Sequence, residues 1–183
     1  MVTSCMITFN IIVAVDSKNG IGKKGNLPWS LSADMKRFKE ITSTTKDKVK
    51  KNALVMGRKT WDSIPEKFRP LPGRLNVVLT RDTQLLFPAT VIKANGLQEA
   101  LKILETKKKQ GVVESIFVIG GGEIFKEAIN QPACQKIYLT KIEHNFQCDT
   151  FLWDFTNDYQ KVAQSRTVQE KKIFYSFSEW IRK

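Results

Sequence analysis

The sequence predicts an α/β protein with a doubly wound, mainly parallel sheet of about eight strands, helices on both faces and an antiparallel hairpin at its C-terminal edge. Short runs rich in valine, isoleucine and phenylalanine alternate with segments of helical periodicity, which is typical of parallel strands joined by right-handed crossovers. Several of these runs are apolar at consecutive positions, as strands covered on both faces are. The 183 residues suit one domain, and we expect residues 1–183 to form it.

The strands and helices are expected in alternating order along the chain. Strands are predicted at FNIIVAV (9–15), ALVMG (53–57), NVVLT (76–80), ATVIKA (89–94), SIFVIG (115–120) and KIYLTKI (136–142). Helices are predicted at SADMKRFKEIT (32–42), RKTWDSI (58–64), GLQEALKIL (96–104) and GEIFKEAI (122–129). KVAQSRTVQE (161–170), a turn at Lys171 and Lys172, and IFYSFSEWI (173–181) predict the edge hairpin.

Composition limits the classes of function. Thirty lysines and arginines against eighteen acidic residues give a net charge of +12, so the natural partner is expected to be anionic. With His144 as its single histidine, the chain is expected to hold neither a Ser-His-Asp triad nor a metal site. Three cysteines without CxxC spacing indicate reduced thiols in a cytoplasmic protein. The sequence shows neither a long apolar segment nor a signal peptide, so a membrane partner is not expected.

Two lysine-rich stretches, KDKVKK (46–51) and TKKKQG (106–111), fall in predicted connections between elements. Charge runs of this kind are usually solvated loops, and a binding patch is the alternative.

Four turns at the carboxyl ends of predicted parallel strands carry the candidate ligand groups. In an open α/β sheet the ligand crevice lies beyond these ends. The four turns are the loop after Val15, the turn after Gly57, the pair Thr80 and Arg81, and the triple glycine 120–122. Because all four contain glycine, basic or hydroxyl residues, we expect them to form one site.

The turn MGRKTW (56–61) is typical of a phosphate site, because Gly57 permits close approach and a helix N-terminus follows. Arg58, Lys59 and Thr60 add charge and a hydroxyl group, although a capped helix with solvated basic residues remains the alternative. VIGGGEIF (118–125) has the same strand-glycine-helix junction without full GxGxxG spacing. Together the two junctions favour a diphosphate held between two helix N-termini.

Asp34 is the acidic residue that the pattern singles out. It falls among the apolar residues of the first predicted helix, whose stripe is Leu31, Met35, Phe38 and Ile41. It is either a first-turn acid that complements the helix dipole or a buried anion that requires a cationic or amidine-like partner. In PEKFRPLPGRLN (65–76), prolines stiffen the loop around Arg69 and Arg74, which suits a bidentate contact with a carboxylate.

The ordered motifs GIGKKGNLPW, DMKRF, MGRKTWDSIP, RPLPGRLNVVLTR, FVIGGGEIF and CDTF together resemble the dihydrofolate reductase family over nearly the whole chain. DMKRF with the preceding WSLS is similar to the protozoan branch, in which the reductase is often fused to thymidylate synthase. The resemblance implies hydride transfer from NADPH to C6 of dihydrofolate and protonation of N5. It implies one-carbon metabolism as the setting and makes the chain an expected antifolate target.

The resemblance also implies roles for individual residues. Asp34 would accept hydrogen bonds from N3 and the 2-amino group of the pteridine, Thr140 would support it, and Trp29 would order a nearby water through which the proton arrives. The substrate pocket would consist of Ile12, Val13, Leu27, Asp34, Met35, Phe38, Ile64, Arg74 and Thr140, with Arg74 on the glutamate α-carboxylate. The loop GIGKKGNLPW (20–29) would close over the ligands and exclude water.

The cofactor site implied by the resemblance combines the same turns. Ala14, Ile21 and Gly22 would border the nicotinamide, and the phosphates would contact Gly57, Arg58, Lys59, Thr60, Thr80, Arg81, Gly120, Gly121, Gly122, Glu123, Ile124 and Phe125. The Gly120–Gly121 peptide would be cis. Thr80 and Arg81 would face the adenosine 2′-phosphate, which is the physical ground for NADPH over NADH.

Two residues depart from the family pattern. Phe125 stands where many relatives have tyrosine, and Asn95 where some have an arginine for the 2′-phosphate, so that Arg58, Arg81 or Lys93 would have to supply that charge. Two other functions stay open on the residues alone. One is a basic nucleic-acid-binding module, which the absence of aromatic residues among the basic runs disfavours. The other is a same-fold reductase of a different heterocycle.

Overall fold

The computed structural model describes residues 7–183, so the predicted thiol of Cys5 lies outside the described part. The strands are β1 (Phe9–Val15), β2 (Gly20–Gly22), β3 (Lys51–Gly57), β4 (Leu75–Leu79), β5 (Val91–Ala94), β6 (Val113–Gly120), β7 (Cys134–Ile142), β8 (Thr150–Phe151), β9 (Tyr159–Gln164), β10 (Val168–Glu170) and β11 (Ile173–Arg182). The helices are α1 (Ser32–Ser43), α2 (Arg58–Ser63), α3 (Leu97–Lys109) and α4 (Gly122–Ile129), with a 3-10 turn at Glu66–Phe68.

One mixed sheet forms the centre of the fold. Its strands lie in the order β10-β11-β7-β1-β6-β3-β4-β5, and β9 also pairs with β11. The pairs from β7 to β5 are parallel, whereas β11 runs antiparallel to β7. The predicted doubly wound, mainly parallel sheet with an antiparallel C-terminal edge is confirmed.

The C-terminal hairpin differs from the prediction in one respect. The segment predicted as a single strand, 161–170, is divided into β9 and β10, which pair with opposite ends of β11. At the break, Ser165 donates its backbone N–H to the carbonyl of Phe177 (2.8 Å), and its hydroxyl accepts the N–H of Phe177 (3.0 Å). A side-chain hydroxyl therefore replaces a ladder bond, which sequence periodicity does not disclose.

The turn of that hairpin agrees with the prediction. Lys171 and Lys172 have φ values of 51° and 66°. Two successive residues with positive φ are typical of the two-residue turns that join twisted antiparallel strands.

The lysine-rich stretch TKKKQG was predicted to be a connection, and this prediction is wrong for its first four residues. Helix α3 continues to Lys109, five residues beyond the predicted end at 104. Lysines in the last turn complement the negative end of the helix dipole, and Lys109 pairs with Glu105 at 2.8 Å. The other stretch does lie in a connection, except that Lys51 begins β3.

The two faces of the sheet carry different helices. One face packs on α3 and α4 through a cluster that includes Leu97, Leu101, Leu104, Phe125 and Ile129. The other face packs on α1 and α2 through Phe38, Ile41, Trp61 and the inward side chains of β3 and β4. The peptides Arg69–Pro70 and Gly120–Gly121 are cis, the second as predicted. None of the helices within residues 7–183 is long and apolar enough to cross a membrane.

Candidate active site

The carboxyl ends of β1, β3, β4 and β6 lie next to one another, because these strands are parallel neighbours in the sheet. The four turns selected from the sequence therefore occupy one edge, as expected from the parallel topology. Helix α1 covers this region from one side, and β2 pairs with β8 to bring the glycine-rich loop over it.

Asp34 lies in the first turn of α1 and contacts β7. The hydroxyl of Thr140, a residue only 2% exposed, donates to Oδ1 of Asp34 at 2.6 Å. Burial raises the pKa of Asp34, although the Thr140 hydrogen bond and the charge of Arg37 act in the opposite direction. A partly buried carboxyl group with a raised pKa is typical of an acid that handles charge or protons in a site.

The apolar residues predicted for the substrate pocket differ in how far they are buried. Ile12 is buried, and Phe38 and Ile64 are partly buried in the same cluster. Met35 is 53% exposed and Leu27 56% exposed, so the α1 stripe is not covered at its first turn. Large apolar side chains that remain exposed beside a carboxyl group suit a pocket for an aromatic ligand.

Trp29, the last residue of the glycine-rich loop, packs against Phe146, with the two ring centroids 5.3 Å apart. The residue is only 7% exposed, and its indole N–H has no hydrogen-bond partner among the described residues. Buried polar groups are normally hydrogen-bonded, so this N–H fits a role in binding a water or ligand atom.

Arg74 is a buried guanidinium group at the end of the proline-rich loop, and the residue is 8% exposed. It donates to the Pro72 carbonyl (3.0 Å) and to the hydroxyl of Thr42 (2.8 Å), and it lies over the ring of Phe38. Within residues 7–183 no carboxylate lies within 4.0 Å of it, and burial lowers its pKa. A buried cation without a carboxylate partner is suited to binding an anionic ligand group.

Three glycines bring the second and fourth turns into contact. Met56 pairs with Gly120 across β3 and β6. A Cβ atom added to Gly57 would lie 3.7 Å from the nitrogen of Gly121, and one added to Gly120 or Gly121 would lie 3.3 Å from Oγ1 of Thr60. Side chains at these positions would fill the space between the two turns, so the glycines leave a narrow cradle lined by backbone groups.

The glycine-rich loop is fixed at its base by Asp16, which sequence reasoning missed. Asp16 is fully buried, and its carboxylate accepts the N–H groups of Lys18 (2.9 Å), Gly20 (2.7 Å) and Phe146 (3.1 Å). Burial opposes ionisation, but these hydrogen bonds outweigh it and lower the pKa. Lys141 holds the carbonyls of Asp16 and Ser17 from the other side.

A second acid fixes the far side of the same loop. Asp149 accepts the N–H of Lys24 at 2.7 Å, and its own N–H donates to the carbonyl of Gly22 at 3.0 Å. Near this contact, a Cβ atom on Gly122 would lie 2.7 Å from Thr150 and 3.7 Å from Ile21. The loop therefore lies directly beside the N-terminus of α4. The sequence signal for Asp16 was a carboxylate directly after an apolar strand, whereas Asp149 lies in the motif CDTF, for which the resemblance gave no residue a role.

The three candidates for the 2′-phosphate differ in their present partners. Arg58 donates to Asp62 at 2.6 Å, and Lys93 donates to the carbonyls of Thr83 (2.7 Å) and Leu85 (3.3 Å). Arg81 is exposed and forms no ion pair or side-chain hydrogen bond within the described part of the chain. Arg81 is therefore the cation of the three that is free to take a phosphate.

The remaining predicted site residues lie around this edge without further distinguishing contacts. Val13 and Phe125 are buried, Ala14 and Ile124 are partly buried, and Lys59 and Glu123 are exposed. Thr80 accepts the N–H of Asp82 at 3.1 Å. Asn95 is exposed and donates its N–H to Glu99. His144 is exposed and makes an edge-to-face contact with the ring of Phe146. Residues 7–183 contain no group of three or more acidic, histidine or cysteine side chains that could hold a metal.

Comparison with known proteins identifies a matching family model and similar sequences. Residues 8–182 match the family model described as dihydrofolate reductase. The chain is 44% identical over 178 residues to a bifunctional dihydrofolate reductase-thymidylate synthase of Arabidopsis thaliana, covering 96% of this chain and 32% of the relative. It is 42% identical over 166 residues to dihydrofolate reductase of Aedes albopictus, covering 90% of this chain and 89% of the relative.

A solved structure gives the same result. Dihydrofolate reductase of Schistosoma mansoni superposes with a TM-score of 0.85 at 35% identity, and the match covers 97% of this chain and 99% of that one. The chain thus spans about a third of the length of the bifunctional plant relatives and most of the length of the monofunctional ones.

Proposed function

The chain belongs to the dihydrofolate reductase family, and from this premise we propose that it reduces dihydrofolate to tetrahydrofolate with NADPH as its nicotinamide cofactor. Residues 1–183 would form the reductase domain. The proposal rests on two groups of opposite charge at the two ends of α1. The Asp34 carboxyl group lies near the start of the helix. The Arg74 guanidinium donates a hydrogen bond to Thr42 near its end.

The spacing of these two groups suits the substrate. Eight residues separate Asp34 from Thr42, which corresponds to about 12 Å along a helix axis. Dihydrofolate carries an amidine-like edge on its ring at one end and a glutamate α-carboxylate at the other. Asp34 would accept hydrogen bonds from ring N3 and the 2-amino group, and Arg74 would form a bidentate pair with the carboxylate. Met35, Phe38 and Ile64 would contact the apolar middle of the molecule.

The proton required at N5 would arrive through water. Asp34 binds the opposite edge of the ring and therefore polarises it without contacting N5. The unpartnered indole N–H of Trp29 would position the water, and the loop fixed by Asp16 and Asp149 would exclude the rest of the solvent. Because burial raises its pKa, the Asp34 carboxyl group retains a proton to a higher pH than an exposed aspartate does.

The glycine cradle fits the diphosphate of a dinucleotide. Gly57, Gly120 and Gly121 would let the phosphates approach the backbone N–H groups, and the Thr60 hydroxyl would donate to them. Ala14 and Ile21 would border the nicotinamide ring. The reduced cofactor, when bound, supplies the hydride. Thr80 and Arg81 would hold the adenosine 2′-phosphate.

Replacement of Arg81 should alter the choice of cofactor. We expect Arg81→Ala to raise the KM for NADPH about tenfold, since a charge-assisted hydrogen bond contributes about 1.5–3 kcal/mol, and to leave the KM for NADH unchanged. Steady-state kinetics with both cofactors measures this. Lys93→Ala is the matched control, because its ammonium group is bound to loop carbonyls. Equal changes for NADPH and NADH would contradict the assignment.

The proposed activity is tested with the purified chain. Oxidation of NADPH is followed by absorbance with dihydrofolate as acceptor and, in parallel, with a ribosylated pyrimidine that lacks a glutamate. We expect rapid turnover of dihydrofolate alone. Turnover of the pyrimidine without turnover of dihydrofolate would indicate a reductase of another heterocycle and would overturn the proposal.

A further inference from the structure

Helix α1, which carries Asp34, begins without a cap from its own sequence. Leu31 precedes it with an extended backbone and makes no side-chain capping bond. The first N–H groups of an α-helix have no partner inside the helix, so those of Ser32 and Ala33 require an acceptor from elsewhere.

Glu170 supplies that acceptor from the C-terminal hairpin, 138 residues away in the chain. Its carboxylate accepts the N–H of Ser32 at 2.8 and 3.0 Å, the Ser32 hydroxyl at 2.8 Å and the N–H of Ala33 at 3.3 Å. The hydroxyl of Tyr175, a fully buried residue on β11, donates to the same carboxylate at 3.1 Å. The acid is therefore held from both sides, by the helix and by the sheet.

These hydrogen bonds fix the charge of Glu170. The N–H and hydroxyl of Ser32, with the further donors, lower the pKa of Glu170 to about 2. A pKa this low keeps the group ionised at neutral pH, and it lies against Ser32 and Ala33, the residues that immediately precede Asp34.

We propose that Glu170 is a positioning residue for Asp34: it holds the start of the helix that carries the acid and places a permanent negative charge beside it. The inference rests on the proposed function only for its effect on turnover. Within residues 7–183, the groups that face Asp34 are Arg37 on α1, Thr140 on β7, Glu170 on β10 and Tyr175 on β11. Arg37, which also faces Glu179 and lies over the ring of Phe177, favours the ionised form of Asp34. Glu170 opposes it.

The sign of the effect follows from this arrangement. A nearby negative charge raises the pKa of a carboxyl group and favours a cationic ring bound to it. Removing the charge of Glu170 lowers the pKa of Asp34, so the decline of turnover with rising pH moves to lower pH. Turnover at the acid end of the pH profile remains the same, and turnover on its alkaline side falls.

The test compares Glu170→Gln, which keeps an acceptor and loses the charge, with Glu170→Asp, which keeps the charge. The matched control is Glu114→Gln. Glu114 is likewise partly exposed and accepts two backbone N–H groups, those of Lys46 and Asp47, but it does not face Asp34. The readouts are the pKa of Asp34 in the free protein, from the carbon-13 shift of its carboxyl group, and the pH profile of kcat.

We expect a lower pKa of Asp34 in Glu170→Gln, a value near the wild type in Glu170→Asp and no change in Glu114→Gln, with the pH profiles moving in parallel. An unchanged pKa in Glu170→Gln would overturn the proposal, and so would an equal shift in Glu114→Gln. Unfolding of Glu170→Gln alone would also overturn it, because the carboxylate would then serve folding. If the wild type failed to reduce dihydrofolate, the titration in the free protein would still decide the role of Glu170.

Discussion

Asp34→Asn is expected to lower turnover of dihydrofolate at neutral pH by about 100-fold or more, the usual scale of lost acid-base assistance. The amide can still accept the Thr140 hydroxyl, so the helix keeps its position. It cannot stabilise a positive charge on the ring. Activity should recover partly in acid, where more of the substrate is protonated in solution.

A stability measurement separates this effect from misfolding. Because the folded state raises the pKa of Asp34 above its ordinary value of 3.8, the carboxyl group favours folding when protonated, below that value. This contribution is lost as pH rises through the folded pKa. Asp34→Asn should therefore be at least as stable as the wild type in urea unfolding at neutral pH. Asp47→Asn, at an exposed turn, is the control for kcat. Unchanged turnover in Asp34→Asn would refute the role.

Arg74→Lys is expected to raise the KM for dihydrofolate by about 10- to 100-fold and to change the KM for NADPH little. A lysine is a point charge and cannot reproduce the planar fork that pairs with a carboxylate, and a hydrogen bond to a charged group contributes about 1.5–3 kcal/mol. Steady-state kinetics with each ligand varied in turn measures the difference.

Arg69→Lys provides the matched control in the same loop. The Arg69 side chain is directed to the carbonyl of Trp61 and to Asp62, at 3.4 and 3.9 Å, instead of to Thr42. We expect a smaller change in the KM for dihydrofolate from this variant. Equal losses of affinity for dihydrofolate and NADPH in Arg74→Lys would argue against a carboxylate partner for Arg74.

Much of the fold was predictable because parallel strands are buried on both faces. Strand β1 is apolar at every position except Asn10, β3 is apolar from Ala53 onward, and β1 and α4 have the predicted bounds. The break between β9 and β10 was not predictable, because it depends on one hydroxyl group that meets Phe177 across the sheet. The extension of α3 into a lysine run was missed for a related reason, since charge runs are compatible with both loops and helix ends.

The residues of the site also differ in whether the local sequence predicts them. Asp34, Arg74 and the glycines follow from local patterns, such as an acid on an apolar stripe or a glycine after a strand. Glu170 and Asp149 act through contacts with segments more than 120 residues away in the chain, with Ser32 and Lys24 respectively. No local spacing reports such contacts, so only the tertiary structure identifies them.

The most direct test of the account is a crystal structure of the chain with folate and oxidised cofactor bound. We expect both carboxylate oxygens of Asp34 to lie about 2.7–3.0 Å from N3 and the 2-amino group of the pteridine, the usual range for such hydrogen bonds. A pteridine bound elsewhere, or an Asp34 side chain turned away from it toward solvent, would contradict the central claim.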